Sequence, residues 1–216
     1  MASSHRRPAP DPSDDRLFEW IGGDLALDFT DTVSWDGDTL RGDRLTSYRD
    51  LVRWAREGGL LTDDRSAPLL GAAERQPEKA REAWREAMGA RSLIYRVFAG
   101  LARGEPVPDD RLQALSVAVA SAYGAARIVP AGSEGRFRRE WAASAEDFGQ
   151  VVRPVLAAAA SLLLSDRRAN VRMCANEQCG WLFLDTSRNH MRRWCDMRVC
   201  GSRAKARRHY ARSRGR

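Results

Sequence analysis

Apolar residues recur at helical spacing through most of the chain. Tyr48, Leu51, Val52 and Ala55 fall at i, i+3, i+4 and i+7, and Gly58-Gly59 closes the segment, which predicts a helix starting after Ser47. A shorter helix is predicted around residues 67–75. A long one follows from Pro77, a favoured first-turn residue, to about Arg103. Its core stripe reads Trp84, Ala87, Ile94, Phe98 and Leu101, with Arg91 near the edge. Leu112, Leu115, Val119 and Ala122 predict another amphipathic helix over 109–123. A last helix is predicted over about 144–166, burying Phe148, Val151, Val155, Leu156, Ala159 and Leu162, with Pro154 in its interior as a kink.

Two stretches depart from this period. Ile128-Val129 and Phe137 to Trp141 flank a Gly- and Pro-containing loop and predict a β-hairpin. In GGDLALDFTDTV, Leu25, Leu27 and Phe29 alternate as in a strand, whereas Leu25, Phe29 and Val33 would share a helix face; a short helix entered from Gly22-Gly23 is the reading adopted. Residues 1–16 carry Pro8, Pro10, Pro12, Asp11, Asp14 and Asp15 without an apolar run and read as a disordered arm, so no export leader is expected. The longest apolar run, Val155 to Leu164, is short of the roughly 18 residues that a bilayer span requires. The predicted fold is mainly α with a small β-hairpin: a mostly helical domain over 17–170, ending in a linker at 166–170, and a C-terminal unit over 171–216.

Charge divides the chain at the same place. Of 36 basic and 29 acidic residues, residues 171–216 hold twelve basic against three acidic, net +9, and the preceding part is net −2. Nearly all basic residues are Arg, which genome composition alone produces, but it does not account for the local scarcity of acids. The asymmetry points to a polyanion as partner.

The four cysteines also fall in this last unit. Cys174, Cys179, Cys195 and Cys200 are spaced C-x4-C, fifteen residues, C-x4-C. A tetrahedral structural zinc site needs four soft or borderline ligands, and two knuckles each present two of them. The strand-like run Trp181 to Leu184 between the knuckles adds a small apolar layer, and a metal replaces the core that so short a unit lacks. Two disulfides and a redox or iron-sulfur role are the alternatives. His190 and His209 read as surface residues beside a complete thiolate set.

After Cys200, Ser202 is a plausible N-cap for a basic helix that runs through Arg203, Lys205, Arg207, Arg208 and Arg212. Such a helix has little apolar surface to bury, and phosphate is its natural complement. Arg192 and Arg193, with Arg188, add to the same surface, while Trp194 is expected to pack behind the knuckle.

VRMCANEQCGWLFLDTSRNHMRRWCDMRVCGSRAKARRHYAR resembles the zinc finger of the bacterial CGNR family, and GGDLALDFTDTV resembles the start of the ABATE domain that accompanies it. The resemblance implies a stress-responsive transcription regulator, zinc on Cys174, Cys179, Cys195 and Cys200, and DNA contact through the basic segment. Two positions depart from the family pattern: Ser202 stands where the name-giving tetrad has Asn, and Asp31 where the early motif usually has Asn.

Residues 1–170 carry no cysteine, no Gly-rich phosphate loop and no HExxH helix, and their one histidine, His5, lies in the arm. Asp24, Asp28, Asp31 and Asp36 are better suited to turns and caps than to acid-base chemistry. The expectation is thus a cytoplasmic, nucleoid-associated regulator on duplex DNA, without membrane attachment or enzymatic activity. Its helical half is expected to bind a small-molecule effector or a second copy of the chain, a homodimer. An RNA- or ribosome-associated zinc module is the alternative.

Overall fold

The computed structural model describes residues 17–36, 39–132, 135–142 and 144–214; the arm at 1–16 lies outside them. The fold is mainly α, with three two-stranded antiparallel sheets among the described residues. A short helix α1 (Leu25–Thr30) leads into a hairpin of β1 (Val33–Asp36) and β2 (Thr39–Asp43). Four helices follow: α2 (Tyr48–Glu57), α3 (Asp63–Arg75), α4 (Pro77–Ala102) and α5 (Asp109–Gly124). The hairpin of β3 (Ala126–Pro130) and β4 (Phe137–Trp141) precedes α6 (Arg153–Leu163). The C-terminal unit then forms β5 (Val171–Met173), β6 (Leu182–Leu184) and α7 (Ser202–Arg214).

Local chemistry places these elements. Ser47 caps α2, its hydroxyl accepting the Asp50 N–H, and Pro77 opens α4 where its missing N–H costs nothing. Asp24 caps α1 by accepting the Ala26 N–H at 3.2 Å. Gly22 is required by close approach: a Cβ there would lie 2.8 Å from the Asp28 backbone nitrogen, and the Gly22 N–H donates to the Asp28 carboxylate at 2.9 Å.

The core gathers around α4. Leu27 and Phe29 of α1, Leu51 and Trp54 of α2, Ile94, Tyr95 and Phe98 of α4 and Val155, Ala159 and Leu162 of α6 are buried together. Trp54 stacks on Trp20 and tilts against Phe29 at centroid distances of 5.2 and 4.9 Å. Burying a side chain of this size stabilises the fold by roughly 1.5–3 kcal/mol.

The structure corrects the expectations for the last helix and for Arg91, and adds detail elsewhere. The helix expected over 144–166 is a single 3-10 turn at Phe148–Val151 followed by α6, and Pro154 sits in the first turn of α6, where it starts the helix instead of kinking it. Arg91, expected near an edge, is 1% exposed and pairs with Asp43 at the end of β2 while donating to Thr32 Oγ1 at 2.9 Å. The β1–β2 hairpin was not foreseen. Residues 166–170 form a 3-10 turn that feeds directly into β5, and Val171, Leu182 and Leu184 of the β5–β6 hairpin belong to the same core as α1 and α4. No helix among the described residues is long and apolar enough to cross a membrane.

Candidate metal centre

The β5–β6 hairpin delivers the first two cysteines. Cys174 follows β5, and its N–H donates to Trp181 O at 2.8 Å, extending the ladder. The chain turns through Cys179, whose N–H donates to Asn176 O, and Gly180 takes the left-handed φ of 68° that the knuckle demands. The return loop rests on Asp185, buried, which accepts the Ser187 N–H and hydroxyl and the Arg192 N–H. Burial opposes ionisation of this carboxyl, but those donors prevail and hold it below the usual range. His190 Nδ1 lies 3.1 Å from Asp185 O, so His190 belongs to this loop and not to the cysteine cluster.

The second knuckle is a single π-helical turn, Met197–Gly201, that runs straight into α7. Its cap is Asp196, whose carboxylate accepts the Arg198 and Val199 N–H groups at 2.5 and 3.1 Å. The sequence reading gave this role to Ser202. Ser202 is instead already helical, because the turn begins five residues earlier and leaves it no N-terminus to cap. Gly201 lies beneath the flexible Met197 side chain, whose sulfur would have to shift for any Cβ there, at 2.6 Å.

The four ligand sulfurs lie within 4.8 Å of one another. Cys195 Sγ is 3.6 Å from both Cys179 Sγ and Cys200 Sγ. Four thiolates about 2.3 Å from a tetrahedral ion stand roughly 3.8 Å apart, so this donor set fits a tetrahedral metal. Hydrogen bonds from the neighbouring Cys179 and Cys195 thiols, helped by the Cys195 N–H, push the Cys174 thiol well below its ordinary pKa.

Asn176 is a site residue that no spacing rule marks. It is buried; its Nδ2 donates to Cys200 Sγ at 3.4 Å, and its Oδ1 accepts from Arg207 Nη2 at 2.7 Å. One amide thereby joins the basic helix to a metal-binding sulfur. Arg207 is therefore partly committed to positioning α7 although it is exposed, and Arg203 and Lys205 are exposed as well. Arg193 is exposed as well, its guanidinium 5.4 Å from the Trp194 ring centre, and Trp194 packs partly buried against the cysteines as expected. The side chains of Arg208 and Arg212 lie outside the described residues.

Arg192, predicted to face nucleic acid, turns inward. Its guanidinium sits 4.3 Å from the Phe183 ring centre and donates to the carbonyls of Trp194, Ile21 and Cys195. Two of these acceptors are backbone carbonyls at the second knuckle and the third, Ile21 O, belongs to the segment before α1, so the guanidinium bridges the two in a half-buried place.

Two residues after α1, Asp31 and Val33, tie the finger to the helical domain, while Thr32 between them holds the turn to α4. Asp31 Oδ1 accepts the Leu182 N–H at 3.0 Å, Thr32 Oγ1 accepts from Arg91, and Val33 O accepts Trp181 Nε1–H at 2.8 Å. Burial, only partly offset by the Leu182 donor, holds the Asp31 carboxyl well above the usual range. The early motif is thus a clamp on the finger, a role that no local pattern in the sequence shows.

Residues 23–166 match the model of the ABATE family, described as "Putative stress-induced transcription regulator", and residues 170–213 match that of the CGNR zinc finger. No curated protein matches the chain.

Proposed function

The chain belongs to the ABATE family and ends in a CGNR zinc finger, and on that premise we propose that it is a zinc-dependent transcription regulator whose finger and basic helix contact duplex DNA. Zinc on Cys174, Cys179, Cys195 and Cys200 suits an all-sulfur tetrahedral donor set and, when bound, supplies the cross-link between the two knuckles. The connection from Cys200 through Asn176 to Arg207 carries the reading, because it fixes the direction of a cationic helix relative to a rigid centre. Geometry of that kind separates a reader of DNA from a basic tail.

Arg203 and Lys205 are assigned to phosphates, with Arg188 and Arg193 of the loop between the knuckles, and Arg208 and Arg212 further along the helix, assisting. Arg207 holds the helix in place, and Arg192 supports the loop. The helical domain is the responsive half, which takes a small effector or a second copy of the chain. The protein acts by binding and not by catalysis: Asp24 caps α1, Asp28 holds Gly22 and Asp31 holds Leu182, so these carboxylates have structural work already. Titration of labelled duplex DNA over a range of salt, beside structured RNA of equal length, tests the assignment. Tighter binding of duplex DNA is expected; preference for RNA would move the protein to the RNA-associated class.

A further inference from the structure

The cysteine cluster borders a cleft of about 320 Å³ where the helical domain meets the finger. Ser34 and Arg44 line it from the helical side and Trp181 from the finger, together with Cys179, Cys195 and Cys200; Cys174 is not part of its wall. Cys179 is half-buried, whereas the other three cysteines are buried. A water-sized reagent therefore meets the cluster from this side and meets Cys179 first.

Hydrogen bonding divides the sulfurs further. Cys200 Sγ accepts from Asn176 Nδ2 and Cys174 Sγ accepts the Cys195 N–H at 3.5 Å. The Trp181 N–H reaches Cys179 Sγ as well, and donors of this kind withdraw charge from a thiolate and weaken it as a nucleophile, so Cys179 is set apart by its access to the cleft and not by its hydrogen bonds. Among the described residues no N–H group donates to Cys195 Sγ, which stands 3.6 Å from Cys179 Sγ.

We propose that Cys179 and Cys195 form an oxidisable pair, with a peroxide entering the cleft as the oxidant. Cys179, in the thiolate form that a metal ligand takes, attacks a peroxide oxygen; the S–O bond forms as the O–O bond breaks, giving a sulfenic acid and hydroxide. The Cys195 thiolate then attacks the Cys179 sulfur, forming the disulfide and expelling a second hydroxide. Two electrons pass from the sulfur pair to the peroxide. On the zinc reading, Cys174 and Cys200 would remain as the only thiolate ligands, too few to hold zinc in a structural site, and the turn Met197–Gly201 that launches α7 would lose its cross-link to the first knuckle.

The test uses the full chain, its zinc content measured first by elemental analysis. It is treated with equimolar hydrogen peroxide, the remaining thiols are alkylated and the disulfides are mapped by mass spectrometry, with a chromogenic chelator following any zinc released. The expected result is a predominant Cys179–Cys195 disulfide that forms together with zinc release. Ser34→Trp, which fills the cleft without touching a cysteine, is expected to slow both by roughly fivefold or more, since oxidation follows access, with zinc content unchanged. A predominant disulfide involving Cys174, persistence of four free thiols, or equal rates in parent and Ser34→Trp overturns the proposal. Absence of zinc before treatment overturns the zinc reading instead, and the disulfide map still decides the pair.

Discussion

The Asp31 carboxylate accepts the backbone N–H of Leu182 at 3.0 Å inside the core, joining the turn after α1 to the second strand of the finger hairpin. Its second oxygen, Oδ2, is buried without a hydrogen-bond partner among the described residues. An acceptor is needed at this place, and a charge is not.

Asp31→Asn is therefore expected to stabilise the protein in a pH-dependent way. Burial raises the folded pKa of Asp31, so the folded chain binds a proton more tightly than the unfolded one. Stability then falls as pH rises from about 3.9, the unfolded value, through the raised folded value, and the penalty is complete above it. Asn keeps the Oδ1 acceptor and removes this dependence. Thermal melts of parent and variant are expected to diverge as pH rises from about 4 to about 8, with Asn the more stable at the upper end. Asp31→Ala, which strands the Leu182 N–H, is expected to cost about 1–3 kcal/mol.

Asn176→Ala removes the donor to Cys200 and the seat of Arg207 together. Groups that orient a metal ligand from behind typically contribute 10–100-fold in affinity, so zinc held against a competing chelator is expected to weaken by about that factor. Asn176→Asp keeps the acceptor for Arg207 but loses the N–H donor. It is expected to weaken zinc binding while retaining the helix content of α7 by circular dichroism.

Removing the metal is expected to loosen the finger in part. Val171, Leu182 and Leu184 are packed into the main core, and the Leu184 N–H donates to Gly22 O at 2.7 Å. Hydrogen exchange after chelation should lose protection over residues 175–181 and 185–214 while the β5 and β6 amides stay protected. Loss across β5, β6 and α4 together would show that the hairpin depends on the metal as well.

Asp43→Ala leaves the Arg91 guanidinium buried without its carboxylate. Breaking a buried pair from one side is costly, and because Asp43 is partly exposed the lower end, about 3 kcal/mol, is expected in urea denaturation.

The helices from α2 to α5 and the cysteine cluster were legible in the sequence because their signals are local: an apolar stripe, a Pro at a helix start, two thiols at a fixed spacing. Contacts between distant segments were not. Asp31 meets Leu182 across most of the chain, and nothing within a window around either residue marks the pair. Arg91 carries a charge and so reads as an edge residue until Asp43 and Thr32 are found facing it. Pro154 was misplaced because an Ala-rich apolar run continues past it while the turn before it is 3-10. Arg192 shares its composition with Arg193, and only the three-dimensional path of the loop separates an inward guanidinium from an outward one.

The central claim is that α7, held by the cysteine centre, binds duplex DNA through Arg203 and Lys205. Its most direct test is the salt dependence of binding by the zinc-loaded chain and by the Arg203→Ala, Lys205→Ala double variant. Each phosphate contact contributes about −0.9 to the slope of log Kobs against log salt, so the variant's slope should be shallower by about two if each of the two residues holds one phosphate. Identical slopes and affinities, or no binding by the parent at low salt, would contradict it.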